Sequence, residues 1–439
     1  MTAADSSRDL PHLRPWQHEA LQTWDSGACR GIVVAATGTG KTRVGLEAMI
    51  RARALGNRVV IVVPTIALQE QWAKILRYRL LYSPKTLGFL GGRSSNFDHG
   101  HQVVIAVLDS ARIRLADIAR HWNEQGHRVL FIVDECHRLG SAQTREMLNL
   151  EAEKTLGLSA TPQLGGGFEE QIERALGPVI YELPLLRALD EGMLAPLRLL
   201  NIYFDLRPAE HNEFRKTAEL CAALRSSLSL QYPELREESS NAMSLLQAIA
   251  SEDPRAKQLL RLLQQNRRLV ANSSVRKELL IGLIDHGIFS NSRTIVFNET
   301  IHQAETAFFL LKERGLNPVI DHSKVPSRER SKALSQFGNG SNSTLVAVRT
   351  VDEGIDVPDA NRAIIVSGTL TKRQRVQRIG RVVRPSGGTA TVISLLARGT
   401  TEEYVVGMED PALVGPSRVR TCIGAPSIDL IEWALGHDL

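Results

Sequence analysis

Between Ala35 and Thr42 the chain reads AATGTGKT. Glycines at 38 and 40 let successive backbone N–H groups turn toward one point, where they cradle phosphate oxygens. Lys41 follows in position to neutralise β- and γ-phosphates, and the Thr42 hydroxyl in position to ligate Mg2+. The strict loop spacing asks for glycine where this chain has Ala35. Farther along, VLFIVDECH (129–137) ends an apolar run in two carboxylates. Asp134, at the strand end, is suited to holding Mg2+ through its water shell. Glu135 is suited to orienting or deprotonating an attacking water. An acidic pair after a strand is common by itself. Downstream of a phosphate loop it completes the core of an ATPase.

A third stretch, RVQRIGRVVRP (375–385), places arginine at every third position: Arg375, Arg378, Arg381 and Arg384. Read as one helix, three residues advance the chain by about 300°, so each arginine drifts about 60° from the last. Arg375 and Arg384 then end on opposite sides, and the four form no single stripe for a nucleic-acid backbone. Gly380 in such a helix costs roughly 1 kcal/mol relative to alanine and suits a point of close approach. Pro385 ends the segment.

These groups need a scaffold that brings loop, carboxylates and arginines to defined edges. GIVVAA (31–36), RVVIVVP (58–64), VVIAVL (103–108), VLFIVD (129–134) and TLGLSA (155–160) are near-continuous apolar runs. Strands buried on both faces of a parallel sheet read this way. Helix-length segments separate them, such as 41–56 with its terminal glycine. The alternation predicts a doubly wound α/β domain over residues 1–205. Residues 206–290 lack strand patterns and read as a helical insert or connector. Strand–helix alternation resumes over 291–400 with RTIVFN, STLVAV, RAIIVS and TATVISLL, and 401–439 form a mixed tail. Helix 301–314 is expected to bury Ile301, Ala304, Phe308 and Leu311. The fold expectation is therefore α/β, two tandem RecA-like doubly wound parallel-sheet domains with a helical insert between them.

Composition bounds the function. The 439 residues are 43% hydrophobic and 23% charged, ordinary for a globular chain of two or three domains. The net charge of +5 leans mildly toward an anionic partner. At 5% aromatic content, base stacking on many rings is not the expected mode of nucleic-acid contact. The four cysteines, Cys29, Cys136, Cys221 and Cys422, form no close pair, against a zinc site or disulfide framework. With no apolar run long enough to span a bilayer, a soluble cytoplasmic protein is expected.

Taken in order, the motifs resemble those of superfamily 2 helicases and translocases of the DExH type. The forms DEGIDVPDA and QRIGRVVRP are most similar to the branch holding DNA-repair helicases and restriction-type translocases. The resemblance runs over residues 13–385. It implies that Gln17 in LRPWQHEA reads adenine, and that Thr37, Gly38, Thr39, Gly40, Lys41 and Thr42 bind the nucleotide. Motif Ia in VVPTIALQEQW, with GGR and VLDSAR, implies that Thr65, Gly92 and Ser110 face nucleic acid. DECH and GLSATP imply that His137, Ser159 and Thr161 couple ATP state to strand binding. In the second half, VRTVDEGIDVPDA implies Arg349 and Thr350 on the nucleic-acid backbone, Gly354 against nucleotide and Asp356 on its ribose. Ser323 is implied to meet phosphate, Gln377 to lie near the γ-phosphate, and Arg381 and Arg384 to act as arginine fingers.

The implied activity is a nucleic-acid-dependent ATPase using ATP and Mg2+, on DNA rather than RNA, in which closure of two domains drives movement along a strand. The alternatives are an ATP-gated binding switch and the motor subunit of a nuclease or defence complex. Protein partners are expected at the 206–290 insert or the tail.

Overall fold

The computed structural model describes residues 11–92, 95–140, 152–161, 169–236, 240–348, 360–367, 372–383, 388–407 and 410–436. The chain divides after Glu191 into two compact units. The first carries strands β1 (Arg30–Ala35), β2 (Arg58–Val63), β3 (Leu87–Leu90), β4 (Val103–Val107), β5 (Val129–Asp134), β6 (Lys154–Ser159) and β7 (Val179–Leu183). They form one parallel sheet in the order β3-β4-β2-β5-β6-β1-β7. Its helices are α1 (Pro15–Ser26), α2 (Lys41–Ala54), α3 (Ile66–Tyr78), α4 (Leu108–Glu124), α5 (Glu169–Leu176) and α6 (Leu185–Asp190). β2, β4 and β5 are buried along nearly their whole length, as their continuous apolar runs require of strands covered on both faces. Helix α2 stops before Gly56, whose φ of +79° provides the left-handed turn back toward β2.

The second unit repeats the plan. Strands β8 (Leu197–Phe204), β9 (Thr294–Asn298), β10 (Pro318–Asp321), β11 (Thr344–Val348), β12 (Arg362–Ile365), β13 (Ala390–Ala397) and β14 (Val419–Ile423) form a parallel sheet. The order is β10-β11-β9-β12-β13-β8-β14. Its helices are α7 (Pro208–Ser229), α8 (Ser240–Ile249), α9 (Pro254–Ala271), α10 (Ser274–Asp285), α11 (Ile301–Glu313), α12 (Ser327–Gly338), α13 (Lys372–Ile379), α14 (Thr401–Gly407), α15 (Asp410–Val414) and α16 (Ile428–Leu435).

Three boundaries differ from the sequence expectation. Strand β8 belongs to the second sheet, between β13 and β14, so the first unit ends near 191 rather than at 205. Apolarity alone does not say which sheet a buried strand joins. The helical segment is two things: α7, α8 and α9 close a small core of their own around Cys221, Leu228, Leu246 and Leu259, whereas α10 packs Leu280 and Leu283 into the core of the second sheet. The tail supplies β14 and the core residues Ile431 and Ala434 of α16. In α11 the buried face centres on Ala304, Ala307 and Leu311, with Phe308 at its margin.

Candidate ATPase site and strand-facing edge

The phosphate loop leaves the end of β1 and enters α2. Gly38 and Gly40 take φ of +89° and +97°, the left-handed turns that expose successive N–H groups. Thr39 is buried, and its hydroxyl donates to the Ala36 carbonyl at 2.6 Å. Lys41, 8% exposed, donates from Nζ to the Ala35 carbonyl at 2.8 Å, so its charge lies over the loop. Gln17 of α1 braces the loop from outside: its Nε2 donates to the Gly40 carbonyl at 3.0 Å, while its Oε1 accepts from the Arg14 N–H at 2.8 Å. Thr37 and Thr42 flank these groups at the loop entry and in the first turn of α2.

β5 delivers Asp134 next to this loop. Its carboxylate is buried, accepts the Trp72 indole N–H at 2.9 Å on Oδ2, and accepts the Glu135 backbone N–H at 3.0 Å on Oδ1. Burial, and then the neighbouring charge of Glu135, push its pKa up to about 6, while the Trp72 hydrogen bond and the Lys41 charge oppose the rise. A cation beside Asp134 would relieve both causes. Among the described residues no group of three His, Cys, Asp or Glu side chains could hold a metal by itself. One buried carboxylate and the Thr42 hydroxyl fit Mg2+, which takes few protein ligands and fills its shell with phosphate oxygens and water.

Glu135 has a φ of +52°, a left-handed conformation that non-glycine residues adopt only when their surroundings enforce it. Here its N–H is held by Asp134 and its carbonyl accepts from Arg138 N at 3.0 Å. Its carboxylate lies 3.4 Å from His137 Nδ1. The same Nδ1 stands 3.2 Å from the Ser159 hydroxyl, which donates to the Thr161 carbonyl at 2.8 Å and accepts the Thr161 N–H at 3.3 Å. A proton on His137 Nδ1 would serve both the Glu135 carboxylate and the Ser159 oxygen. All three coupling candidates thus form one buried chain leading from Glu135. Cys136 is buried beside them, and burial pushes its thiol pKa far up, so it is unreactive packing.

Thr65, Gly92 and Ser110 follow β2, β3 and β4, adjacent strands, and therefore share the carboxyl edge of the sheet. Thr65 caps α3, its hydroxyl accepting from Leu68 N at 3.3 Å. Gln69 of α3 donates to the Ile105 carbonyl at 2.9 Å and reaches the Leu90 and Gly91 carbonyls at 3.4 Å. Side chains at Gly91 or Gly92 would run into Ser110 and Gln69 respectively, so the turn after β3 must be glycine. Neither Gln69 nor Trp72 stands out as polar chemistry in the sequence. The available signal was their spacing, four and seven residues from Thr65, on the buried face of α3.

In the second unit the arginine stretch is not one helix. Helix α13 ends at Ile379, and Arg381 follows in a turn, its N–H donating to the Arg378 carbonyl at 3.1 Å. The 60° drift therefore relates Arg375 to Arg378 only. Gly380 comes just after the last helical residue, where glycine carries no helix-interior cost. Arg375 is buried: it pairs with both Asp410 oxygens at 3.0 and 2.6 Å and reaches Ser394 Oγ at 2.5 Å and Asn201 Oδ1 at 3.3 Å. Arg378 is also buried, lies 5.0 Å from the Phe297 ring centroid and donates to the Ser367 carbonyl at 3.2 Å. Gln377 and Arg381 are half-buried. Ser323 is exposed just beyond β10. Arg349, Thr350, Gly354, Asp356 and Arg384 lie outside the described residues.

Two seven-stranded parallel sheets, the first edged by a phosphate loop and an acidic pair, define the class. The chain belongs to the superfamily 2 helicases and translocases, in the branch that includes DNA-repair and restriction enzymes. Residues 10–164 match the family model described as type III restriction enzyme, res subunit, and 276–386 match the helicase conserved C-terminal domain. The chain is 29% identical to DNA 3'-5' translocase XPB2 of Sulfurisphaera tokodaii, over 90% of this chain and 84% of that protein. It is 28% identical to DNA 3'-5' helicase XPB of Kineococcus radiotolerans, over 97% of this chain and 67% of that protein. The fold is similar to S. cerevisiae Dbp5 bound to RNA and ADP BeF3, with TM-score 0.60 and 13% identity over 96% of this chain and 93% of that one. Among the described residues no helix is long and apolar enough to cross a membrane.

Proposed function

We propose that the chain is a DNA-dependent ATPase that translocates on DNA in the 3'-to-5' direction, as its named relatives do. The observation that carries the reading is a single sheet edge holding both chemistries. The phosphate loop and Asp134–Glu135 follow β1 and β5, and Thr65, Gly92 and Ser110 follow β2, β3 and β4 of the same sheet.

Phosphoryl transfer to water needs positioning and charge neutralisation. The loop N–H groups and Lys41 hold the β- and γ-phosphates of ATP, and Gln17, by family resemblance, reads adenine. Thr42 and Asp134 hold Mg2+, which when bound neutralises charge on the phosphate oxygens. Glu135, fixed by its constrained backbone, orients the attacking water and takes its proton. His137, Ser159 and Thr161 carry the state of Glu135 away from the nucleotide. By family resemblance alone, Gln377, Arg381 and Arg384 are assigned to charge neutralisation, and Gly354 and Asp356 to nucleotide contact. Arg349, Thr350 and Ser323 hold strand phosphates. Protein partners would dock on α7–α9 or β14–α16, and the protein would reside with DNA in the cytoplasm.

Steady-state ATP hydrolysis tests the reading. Duplex or single-stranded DNA is expected to raise the wild-type rate, and Lys41→Ala to lower it at least 100-fold with or without DNA. A wild-type rate indifferent to every nucleic acid would refute the motor.

A further inference from the structure

We propose that Trp72 is a positioning residue for the Asp134 carboxylate, and that helix α3 ties this carboxylate to the strand-facing edge of the first unit. The proposal rests on the reading of Asp134 as the Mg2+-holding group and assigns a role to a side chain outside that reading.

The geometry is specific. Trp72 is 1% exposed, and its indole N–H meets Asp134 Oδ2 at 2.9 Å while the Glu135 N–H meets Oδ1 at 3.0 Å. Two donors from different elements fix the plane of the carboxylate, and each oxygen keeps a lone pair for a cation or its water. The indole has no room to swing. A Cβ added at Gly45, inside the phosphate-loop helix α2, would stand 2.9 Å from Trp72 Cη2. Trp72 therefore touches the helix that carries Lys41 and Thr42 as well as the carboxylate.

The other end of α3 lies at the strand edge. Thr65 caps the helix, and Gln69 anchors it to the carbonyls after β3 and in β4. Thr65, Gln69 and Trp72 are spaced by four and then three residues, so they share one face of a rigid helix. A strand settling on Thr65, Gly92 and Ser110 would press on α3, and any shift of α3 moves the indole against Asp134. Outer partners that orient a metal-holding group typically change metal affinity 10–100-fold when removed.

The experiment is equilibrium binding of a fluorescent ADP analogue, titrated with Mg2+, with and without a DNA duplex, so that no turnover is read. Trp72→Phe keeps most of the ring and drops the N–H. It should raise the half-saturating Mg2+ about 10-fold and reduce the DNA-induced change in nucleotide affinity at least threefold. Trp122→Phe makes the same change at another buried tryptophan of this unit, whose indole donates to the His99 carbonyl at 3.2 Å, and should move neither quantity. Trp72→His keeps a ring donor and should recover part of the Mg2+ affinity, whereas a role in packing alone would leave it worse than phenylalanine. A wild-type Mg2+ curve for Trp72→Phe overturns the positioning role, and an undiminished DNA effect overturns the link through α3. A wild-type protein indifferent to Mg2+, or Asp134→Asn with a wild-type curve, would instead sink the reading of Asp134 itself.

Discussion

Asp134 should cost the protein stability in the absence of Mg2+ and nucleotide. Its pKa stands at about 6 in the folded chain against an ordinary carboxylate value of 3.8. The folded state then keeps a proton through a range where the unfolded chain has released it, so stability falls as pH rises from about 4 to about 6. Above that window the full shift applies, and at 1.36 kcal/mol per unit it amounts to about 3 kcal/mol at pH 7.5. At pH 5 the same linkage leaves about half of it. Asp134→Asn removes the titration. An amide has one acceptor oxygen where the carboxylate serves both Trp72 and Glu135, so one hydrogen bond is lost at about 1 kcal/mol. The variant should therefore be more stable than wild type by on the order of 2 kcal/mol at pH 7.5, and by clearly less at pH 5. Urea denaturation followed by tryptophan fluorescence suits the question, because Trp16, Trp24, Trp72 and Trp122 are buried in the first unit and only Trp433 belongs to the second. A stability difference that stays constant between the two pH values, or a variant weaker than wild type at pH 7.5, would refute the reasoning.

Gly45→Ala should destabilise the first unit by about 1–3 kcal/mol despite alanine's helix preference, because the new methyl group meets the Trp72 ring and Leu158 in a filled core; thermal denaturation reads the sign directly. Arg375→Met should cost about 3–5 kcal/mol by leaving the fully buried Asp410 charge without its cation, with only the Asn201 amide still donating to it at 2.9 Å. Adding Asp410→Leu should recover much of that loss in chemical denaturation, and a double variant as weak as the single one would mean that the pair's partners matter more than its charge.

The phosphate loop and the acidic pair were readable because their chemistry depends on residues close in sequence. Glycines at 38 and 40 turn one loop, and Asp134 and Glu135 end one strand. The strands of the sheet centres were readable for a similar reason, since burial on both faces leaves unbroken apolar runs. β3, β10 and β14 are short edge or near-edge strands and left no such run. The threefold arginine spacing reads as one helix because it is indifferent to where the helix ends. The structure ends it at Ile379 and commits Arg375 to Asp410, thirty-five residues away in sequence.

The sequence by itself determined the glycine turns of the loop, the acidic pair at a strand end and the two-sheet α/β plan, since local turns and burial periodicity suffice for these. Only the tertiary structure decided that β8 joins the second sheet, that Arg375 is a buried structural ion, and that Trp72 reaches Asp134 sixty-two residues away. Those outcomes depend on which elements pack together. A hydrogen bond of 2.9 Å between α3 and β5 follows from the twist and spacing of a whole sheet, which no single segment encodes.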